Sequence, residues 1–119
     1  MTLNVSSIRK ILLTLYKPTG SERIGFVTKA NEIVEVPNVS PNPDEGFMVA
    51  PKDIILYSEI NPSYATWHTH PGASSNLSNE DFVTFKLWKD YVHFIIGNDG
   101  VRAYKYDEKR KTIMELDDE

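Results

Sequence analysis

The chain has 119 residues, which suits one domain built around a single hydrophobic core. Apolar residues make up 40% and charged residues 25%, as in an ordinary globular protein, and the excess of acidic over basic residues (17 against 13) argues against a nucleic acid partner. Cysteine is absent, so disulfides and thiolate metal sites are excluded, and any bound metal must be held by nitrogen or oxygen atoms.

The chain carries no recognisable targeting or membrane segment. Residues 1–4 do not form a basic region that leads into a long apolar core, as a signal peptide would. No apolar run approaches the length of a membrane span. We therefore expect a cytoplasmic protein without a membrane partner, folded as a single domain over residues 1–119.

Helices and strands are predicted to alternate along the chain. Apolar side chains recur at helical spacing at positions such as Ile8 and Leu12, and residues 98–100 (Asn-Asp-Gly) predict a hairpin turn. This alternation predicts an α/β or α+β sheet with helices packed against it. The first half of the chain is predicted to form a helix over residues 8–15, strands at 24–28 and 32–36, a proline-rich loop at 37–45 and a short strand at 47–49. A helix at 51–60, a strand at 64–70 and a loop at 72–77 follow. The last predicted elements are a helix from 78 to about 91, a hairpin of 92–96 and 101–106, and a strand at 111–115.

The residues that indicate a chemical function lie between positions 68 and 81. His68 and His70 end a predicted strand, where side chains two positions apart point to the same face, so both imidazoles can reach one metal ion. Pro71 ends that strand because it cannot donate to a sheet ladder. Asp81 falls in the first turn of the next predicted helix, from which it can supply a third ligand. Three such ligands leave one position for water, which is typical of a catalytic zinc site.

This segment resembles a known protease signature. The pattern His68-x-His70-Pro71-x6-Ser78-x-x-Asp81 is similar, position for position, to that of the JAB/MPN/JAMM metalloproteases. The resemblance implies that His68, His70 and Asp81 bind Zn²⁺ and that Ser78 helps to hold the developing oxyanion. It also implies the fold of that family, a central, mostly antiparallel mixed sheet flanked by helices and related to the cytidine deaminase architecture.

A zinc site of this kind needs a general base to accept the proton of the attacking water. The family places a glutamate in an early strand, followed by a glycine and an aliphatic residue, and residues 22–27 of this chain resemble that segment. The resemblance implies that Glu22 is the general acid/base. Glu32, Glu35 and Glu59 are weaker alternatives.

The resemblance also implies a substrate class. Members of the family cleave peptide or isopeptide bonds, commonly at the C-terminus of ubiquitin or ubiquitin-like proteins, and others resemble phage tail-assembly proteins or process sulfur carriers. Residues 42–51 are similar to the bacterial and phage-tail branch. We expect a zinc metallopeptidase or isopeptidase acting on a protein or peptide, with the virion as a further location if the chain is of phage origin.

Simpler interpretations of the same residues are also open. Ser78 and Asp81 fit a plain helix-capping arrangement, in which Ser78 caps the helix and Asp81 lies near its positive end; for Ser78, capping is compatible with a place in the site. A lone Glu22 near the start of a strand would ordinarily be a solvated surface residue. The alternative function is a non-catalytic MPN-like scaffold or binding module, although such relatives typically lose the ligands that this chain retains. A zinc deaminase is excluded, because its Cys-x-x-Cys pair is missing.

Other aromatic and imidazole side chains are assigned structural roles. His93 lies between apolar residues in a predicted strand and is expected to be structural. Trp67 should point away from His68 into the core. Phe82, Phe85 and Trp88 recur at helical spacing and predict a buried helix face.

Overall fold

The computed structural model describes residues 5–43 and 46–116. It confirms the α+β class predicted from the sequence, and none of the described helices is long and apolar enough to cross a bilayer. The elements, in chain order, are α1 (Val5–Leu13), β1 (Ile24–Thr28), β2 (Ile33–Val36), α2 (Pro51–Ile55) continuing into a π-helical turn (Leu56–Ile60), β3 (Ser63–Thr69), α3 (Asn79–Leu87), β4 (Val92–Gly97), β5 (Gly100–Asp107) and β6 (Thr112–Leu116).

The six described strands form one mixed sheet in the order β2-β1-β3-β4-β5-β6. Strands β3 and β4 pair in parallel, and every other neighbouring pair of described strands is antiparallel. The parallel pair is joined through α3, since parallel neighbours need a long crossover connection. The sheet is therefore mostly antiparallel and mixed, as expected.

Helix α1 covers one face of the sheet. Ile8 and Leu12, one helical turn apart, are almost completely buried there, which confirms the predicted helical spacing. They pack against apolar side chains from the inner strands, namely Val27, Ala65, Trp67, Phe94, Ile96 and Ala103.

Helix α3 and the segment 47–57 cover the opposite face. Phe85 of α3 is buried against Ile95 and Tyr104. A second group of apolar side chains fills the space beside β1, namely Ile24, Phe26, Val36, Phe47, Val49 and Tyr57. Because strand side chains alternate between faces, β3 contributes Trp67 to the α1 side and His68 to the α3 side.

The strand expected at residues 47–49 is not formed, and that prediction is wrong. The segment is instead held by the side chain of Asn38, whose Oδ1 accepts a hydrogen bond from the backbone N–H of Met48 (3.1 Å). The Asn38 Nδ2 donates to the carbonyl oxygens of Glu22 (2.8 Å) and Gly46 (3.0 Å). The Val39 backbone N–H also donates to the Met48 carbonyl oxygen (2.8 Å), so one backbone hydrogen bond and the Asn38 side chain together keep the segment beside Glu22.

Helix α3 is shorter than predicted, and its buried face is narrower. It ends at Leu87, after which Trp88 leaves the helical conformation (φ −112°, ψ 49°). The Trp88 carbonyl oxygen accepts a hydrogen bond from His93 Nε2 (2.9 Å). Phe85 is buried, whereas Phe82 is 38% exposed, so the expected burial is wrong for Phe82.

The core on the α1 side depends on close contact between Trp67 and Gly25. Trp67 is completely buried, as expected, and its indole N–H donates to the carbonyl oxygen of Val34 (3.1 Å). A Cβ atom on Gly25 would lie 1.9 Å from that carbonyl oxygen and 2.5 Å from the indole ring. A side chain at position 25 is therefore incompatible with this packing.

We expect Gly25→Ala to lower the free energy of unfolding by at least about 3 kcal/mol, because both clashing groups are fixed by the sheet and the indole hydrogen bond. Gly46→Ala is the matched control, since a Cβ there meets nothing within 4 Å. It should change stability by less than about 0.5 kcal/mol. Urea unfolding of the two variants makes the comparison, and equal stabilities would contradict the described position of Trp67.

His93 is a buried structural residue on the α3 side of the sheet. Its Nε2–H donates to the Trp88 carbonyl oxygen (2.9 Å), and its Nδ1 accepts from the Thr66 hydroxyl (2.6 Å). Its ring stacks on Phe85, with centroids 4.1 Å apart and nearly parallel planes. Burial lowers the pKa of His93 to about 4.

Acid should therefore destabilise the protein through His93. The unfolded chain binds this proton near the ordinary pKa of about 6.5, so between pH 7 and pH 4 it holds more protons than the folded state. In buffer containing a chelator, the wild type should lose about 3 kcal/mol more stability over that range than His93→Gln, which cannot titrate. Urea unfolding at several pH values tests this, and identical pH dependence of the two proteins would show that His93 is not buried in its neutral form.

Candidate metal centre

Three side chains predicted as metal ligands converge at one point. His68 Nε2 lies 3.1 Å from His70 Nε2 and 3.0 Å from Asp81 Oδ1, and His70 Nε2 lies 3.1 Å from Asp81 Oδ2. In a tetrahedral zinc site with bonds of about 2.0–2.1 Å, neighbouring ligand atoms are separated by about 3.3 Å. The two imidazoles and the carboxylate therefore have the spacing that one small divalent cation requires.

The local structure of α3 fixes Asp81. The Asp81 backbone N–H donates to Ser78 Oγ (3.1 Å), and the Ser78 backbone N–H donates to Asp81 Oδ2 (3.0 Å), which together form a capping box. The Asp81 carboxylate is almost completely buried. The cap orients the Asp81 carboxylate toward the histidines, so capping by Ser78 and Asp81 is compatible with Asp81 as a metal ligand.

The two histidines are held in different ways. His70 Nδ1 lies 2.9 Å from the carbonyl oxygen of Ser74, which can only accept, so Nδ1 carries the hydrogen and Nε2 faces the other ligands. His68 Nδ1 is buried without a hydrogen-bond partner among the described residues. The His68 ring is instead positioned by packing, with the Phe47 ring centroid at 4.6 Å and that of Phe85 at 6.1 Å.

Strand pairing brings Glu22 to the site. Ile24 is paired with His68 in the β1–β3 ladder. One residue further along, the Thr69 backbone N–H donates to the Arg23 carbonyl oxygen (2.9 Å). The next residues outward are Glu22 and His70. Candidate ligand atoms of Glu22 and the two histidines lie within 4.8 Å of one another.

The histidines therefore belong to two overlapping ligand sets, one completed by Asp81 and one by Glu22. Asp81 is the better third ligand, because it lies at 3.0–3.1 Å from both imidazoles and is held by the helix cap. For Glu22 only the limit of 4.8 Å applies, and among the described contacts no ion pair within 4.0 Å joins it to either imidazole.

The electrostatics of the cluster follow from burial and from hydrogen bonds. Burial raises the pKa of Glu22 to about 7, against the opposing effect of the His70 charge. Burial lowers the pKa of His68, which keeps this ring neutral as a metal ligand must be. Burial acts against ionisation of Asp81, but hydrogen bonds from His68 and His70 overcome it and hold the pKa of Asp81 far below its usual range. Burial also opposes a charge on His70, yet its hydrogen bonds to Asp81 and the Ser74 carbonyl raise the pKa of His70.

The cluster opens into a cleft of about 620 Å³. Its walls come from the start of β1, the 40–47 segment, the loop after β3 and helix α3. The described lining residues are Glu22, Ser40, Asn42, Gly46, Phe47, His70, Pro71, Ala73, Ser78, Glu80, Asp81 and Thr84. All five residues predicted to form the site are thus brought together, four of them at the cleft wall and His68 buried behind it.

The other glutamates considered as bases lie elsewhere. Glu35 is held by Arg23, with side-chain separations of 2.7 and 3.0 Å. Glu32 and Glu59 are exposed, and none of the three is among the described residues that line the cleft.

A contact that the sequence did not reveal holds the loop of residues 71–77 in place. Asp99 Oδ1 accepts hydrogen bonds from the backbone N–H and the hydroxyl of Ser75, both at 2.8 Å. A Cβ atom on Gly97 would lie 2.2 Å from Ser75 N and 2.4 Å from the Ser74 carbonyl carbon. The β4–β5 turn therefore sets the position of the Ser74 carbonyl, which in turn orients His70. The sequence predicts a hairpin turn that includes Asp99, and nothing in that pattern indicates its partner.

Comparison with known proteins gives information on the fold but not on the function. No family model and no curated protein matches the chain. Among solved structures, the chain is similar to the solution structure of protein DSY2949 from Desulfitobacterium hafniense, a structural genomics target, with a TM-score of 0.63. The match covers 96% of this chain and 88% of that chain at 12% sequence identity. At this identity the likeness establishes a shared architecture, and the site has to be interpreted from the residues of this chain.

We expect Asp99→Ala to weaken zinc binding about 10- to 100-fold, because the Ser74 carbonyl that orients His70 loses its support. Asp99→Asn should bind zinc nearly as well as the wild type, since its amide oxygen can accept the same hydrogen bonds. Affinity is measured by competition with a chromophoric chelator. Asp107→Ala is the control, because Asp107 caps the distant β5–β6 turn through the Lys109 and Arg110 N–H groups. Equal loss of affinity in both alanine variants would contradict a specific role for Asp99.

Proposed function

We propose that this protein is a zinc-dependent peptidase or isopeptidase of the JAMM type. The observation that carries the proposal is the convergence of His68, His70 and Asp81 at 3.0–3.1 Å beside an open cleft, with the Glu22 carboxylate facing them. Two imidazoles and one carboxylate, with a position left for water, are a ligand set of catalytic zinc sites. When bound, zinc would supply the Lewis acidity that polarises a scissile carbonyl and acidifies water.

Glu22 is suited to the transfer of protons. Its backbone is held on both sides, since its N–H donates to the Pro43 carbonyl oxygen (2.8 Å) and its own carbonyl accepts from Asn38 Nδ2 (2.8 Å). Its carboxylate lies at the cleft wall rather than in a salt bridge with a described lysine or arginine. Glu22 would accept a proton from the attacking water and deliver it to the departing amine.

Ser78 is suited to contact the reacting carbonyl oxygen. Its Oγ accepts the Asp81 N–H as part of the helix cap, which leaves the hydroxyl hydrogen available as a donor toward the cleft. A donor at this position would stabilise negative charge as it develops on the carbonyl oxygen.

The cleft suits an extended polypeptide better than a small metabolite. It is open to solvent and its walls come from four separate parts of the chain, so a strand-like segment can pass across the ligands. A protein or peptide substrate is the class that the sequence resemblance implies, with the C-terminal tail of a ubiquitin-like protein or a phage tail component as its two named forms. A non-catalytic scaffold would have no use for a base opposite the metal ligands.

Purified protein should contain close to one zinc ion per chain, and Glu22→Gln should retain it while losing cleavage by a factor of about 10² to 10⁴. Asp81→Asn and His68→Ala should lose the metal. Zinc is measured by atomic emission, and cleavage with ubiquitin-like proteins carrying a C-terminal fluorophore and with quenched peptide libraries, each with and without chelator.

The same variants decide between the two ligand sets. Loss of zinc from Glu22→Gln with retention in Asp81→Asn would show that Glu22 is the third ligand and that the assignment of Asp81 is wrong. Bound zinc without chelator-sensitive cleavage of any substrate would instead favour the scaffold function.

A further inference from the structure

A second, smaller pocket lies beside the cleft on the α3 side of the sheet. It has a volume of about 230 Å³ and is largely apolar. Its inner wall is formed by Ile24 and Phe26 of β1, and its outer walls by Ile54 of α2, Trp88 at the end of α3 and the segment 47–49. We call it the apolar pocket.

The apolar pocket adjoins the catalytic cleft. Phe47 and Thr84 line both, so these two side chains stand between the two cavities. The Phe47 ring also packs on His68, with centroids 4.6 Å apart. The pocket therefore begins one side chain away from a metal ligand, and an extended substrate, whose residues advance by about 3.3 Å each, can reach it within a few residues of the scissile bond.

The polar groups at the base of the pocket are already satisfied. Thr66 and His93 line it, but the threonine hydroxyl is hydrogen-bonded to His93 Nδ1 (2.6 Å) and His93 Nε2 to the Trp88 carbonyl (2.9 Å). A charged or strongly polar occupant would find no free partner among these groups and would lose its hydration. The chemistry of the walls selects an apolar occupant.

The volume of the pocket indicates which apolar side chains it can hold. A cavity of about 150 Å³ lined by aliphatic and aromatic side chains is large enough to bind benzene. At about 230 Å³ the apolar pocket accepts a leucine, methionine or phenylalanine side chain, and an alanine would leave most of it unfilled. Met48, 53% exposed at the rim, has the flexible side chain that can close over such an occupant.

We propose that the apolar pocket receives a large apolar side chain of the substrate, leucine, methionine or phenylalanine, a few residues from the scissile bond. This inference rests on the proposed peptidase function and adds the residue type that the enzyme selects. Specificity would come from the 47–49 segment and from Ile54, outside the ligand cluster.

The test uses one tryptophan of the protein as a reporter of binding and the other as its control. Trp88 lines the apolar pocket, whereas Trp67 is completely buried in the core on the other face. The wild-type protein and its Glu22→Gln variant, both as purified, are titrated with blocked pentapeptides Gly-Gly-X-Gly-Gly in which X is Leu, Phe, Ala or Asp. Indole N–H signals are followed by NMR, and cleavage of the same peptides is measured in parallel.

With Leu or Phe, the Trp88 signal should shift saturably while the Trp67 signal stays in place. Ala should bind at least about tenfold more weakly, because it buries several fewer carbon atoms, and Asp should produce no saturable shift. Ile54→Phe should abolish the preference for Leu over Ala by filling the pocket. Ile55→Phe, one residue away at a 49% exposed position, should leave it unchanged. If Ile54→Phe does not fold, Ile54→Ala should move the preference from Leu toward Phe.

Binding is read independently of cleavage, so the two proposals can fail separately. Saturable Trp88 shifts in the wild type, together with no chelator-sensitive cleavage of these peptides, ubiquitin-like proteins or peptide libraries, would support the apolar selectivity and contradict the hydrolytic function. Equal responses to Leu, Ala and Asp, or equal effects of the two phenylalanine variants, would overturn the apolar pocket whatever the activity.

Discussion

Strand β3 is the element on which the rest of the molecule depends. Its side chains alternate between the two faces of the sheet, so Trp67 completes the core under α1 while His68 enters the cluster under α3. The strand is central, with β1 antiparallel on one side and β4 parallel on the other. A shift of one residue in its register would exchange the tryptophan and the histidine and destroy the core and the site together.

The cluster of His68, His70 and Asp81 places polar side chains in a largely buried position, where contacts with neighbouring groups stabilise them. The Asp81 carboxylate accepts a hydrogen bond from the Ser78 backbone N–H and lies 3.0–3.1 Å from the Nε2 atoms of both histidines, so both of its oxygens have polar neighbours despite burial. His70 is supported through Ser74 by the turn that contains Asp99, whereas His68 is held by packing against Phe47 and Phe85. Hydrogen bonds restrain two of the three ligands, and apolar contacts restrain the third.

Helix capping and metal ligation are often weighed as competing explanations of a Ser-x-x-Asp sequence. Here one arrangement serves both the helix cap and the proposed ligation, because the cap that begins α3 fixes the rotamer of the carboxylate that meets the imidazoles. The helix also provides Thr84 to the cleft and Phe85 to the packing of His68. Helix α3 therefore supplies the candidate ligand Asp81, the cleft residue Thr84 and the core residue Phe85.

Much of this organisation could be predicted from local sequence. The two histidines at i and i+2, the proline that ends β3 and the Ser-x-x-Asp cap all act over a few residues, and the element order could be predicted because helix and strand periods are local properties. Glu22 could be indicated only by resemblance, since a single glutamate has no pattern of its own. The apolar residues of the segment 47–49 predict a strand, but in the structure they line a pocket instead of joining the sheet.

The sequence alone determined the α+β class, the donor types of the site and the exclusion of cysteine chemistry, since these depend on residue identity and short-range periodicity. Only the tertiary structure decided that Glu22 stands across from His70, that Asp99 supports the Ser74 carbonyl and that an apolar pocket adjoins the cleft. Each of these contacts joins residues distant in the chain, and their meeting is set by strand register and by helix packing on the sheet, which no local pattern encodes.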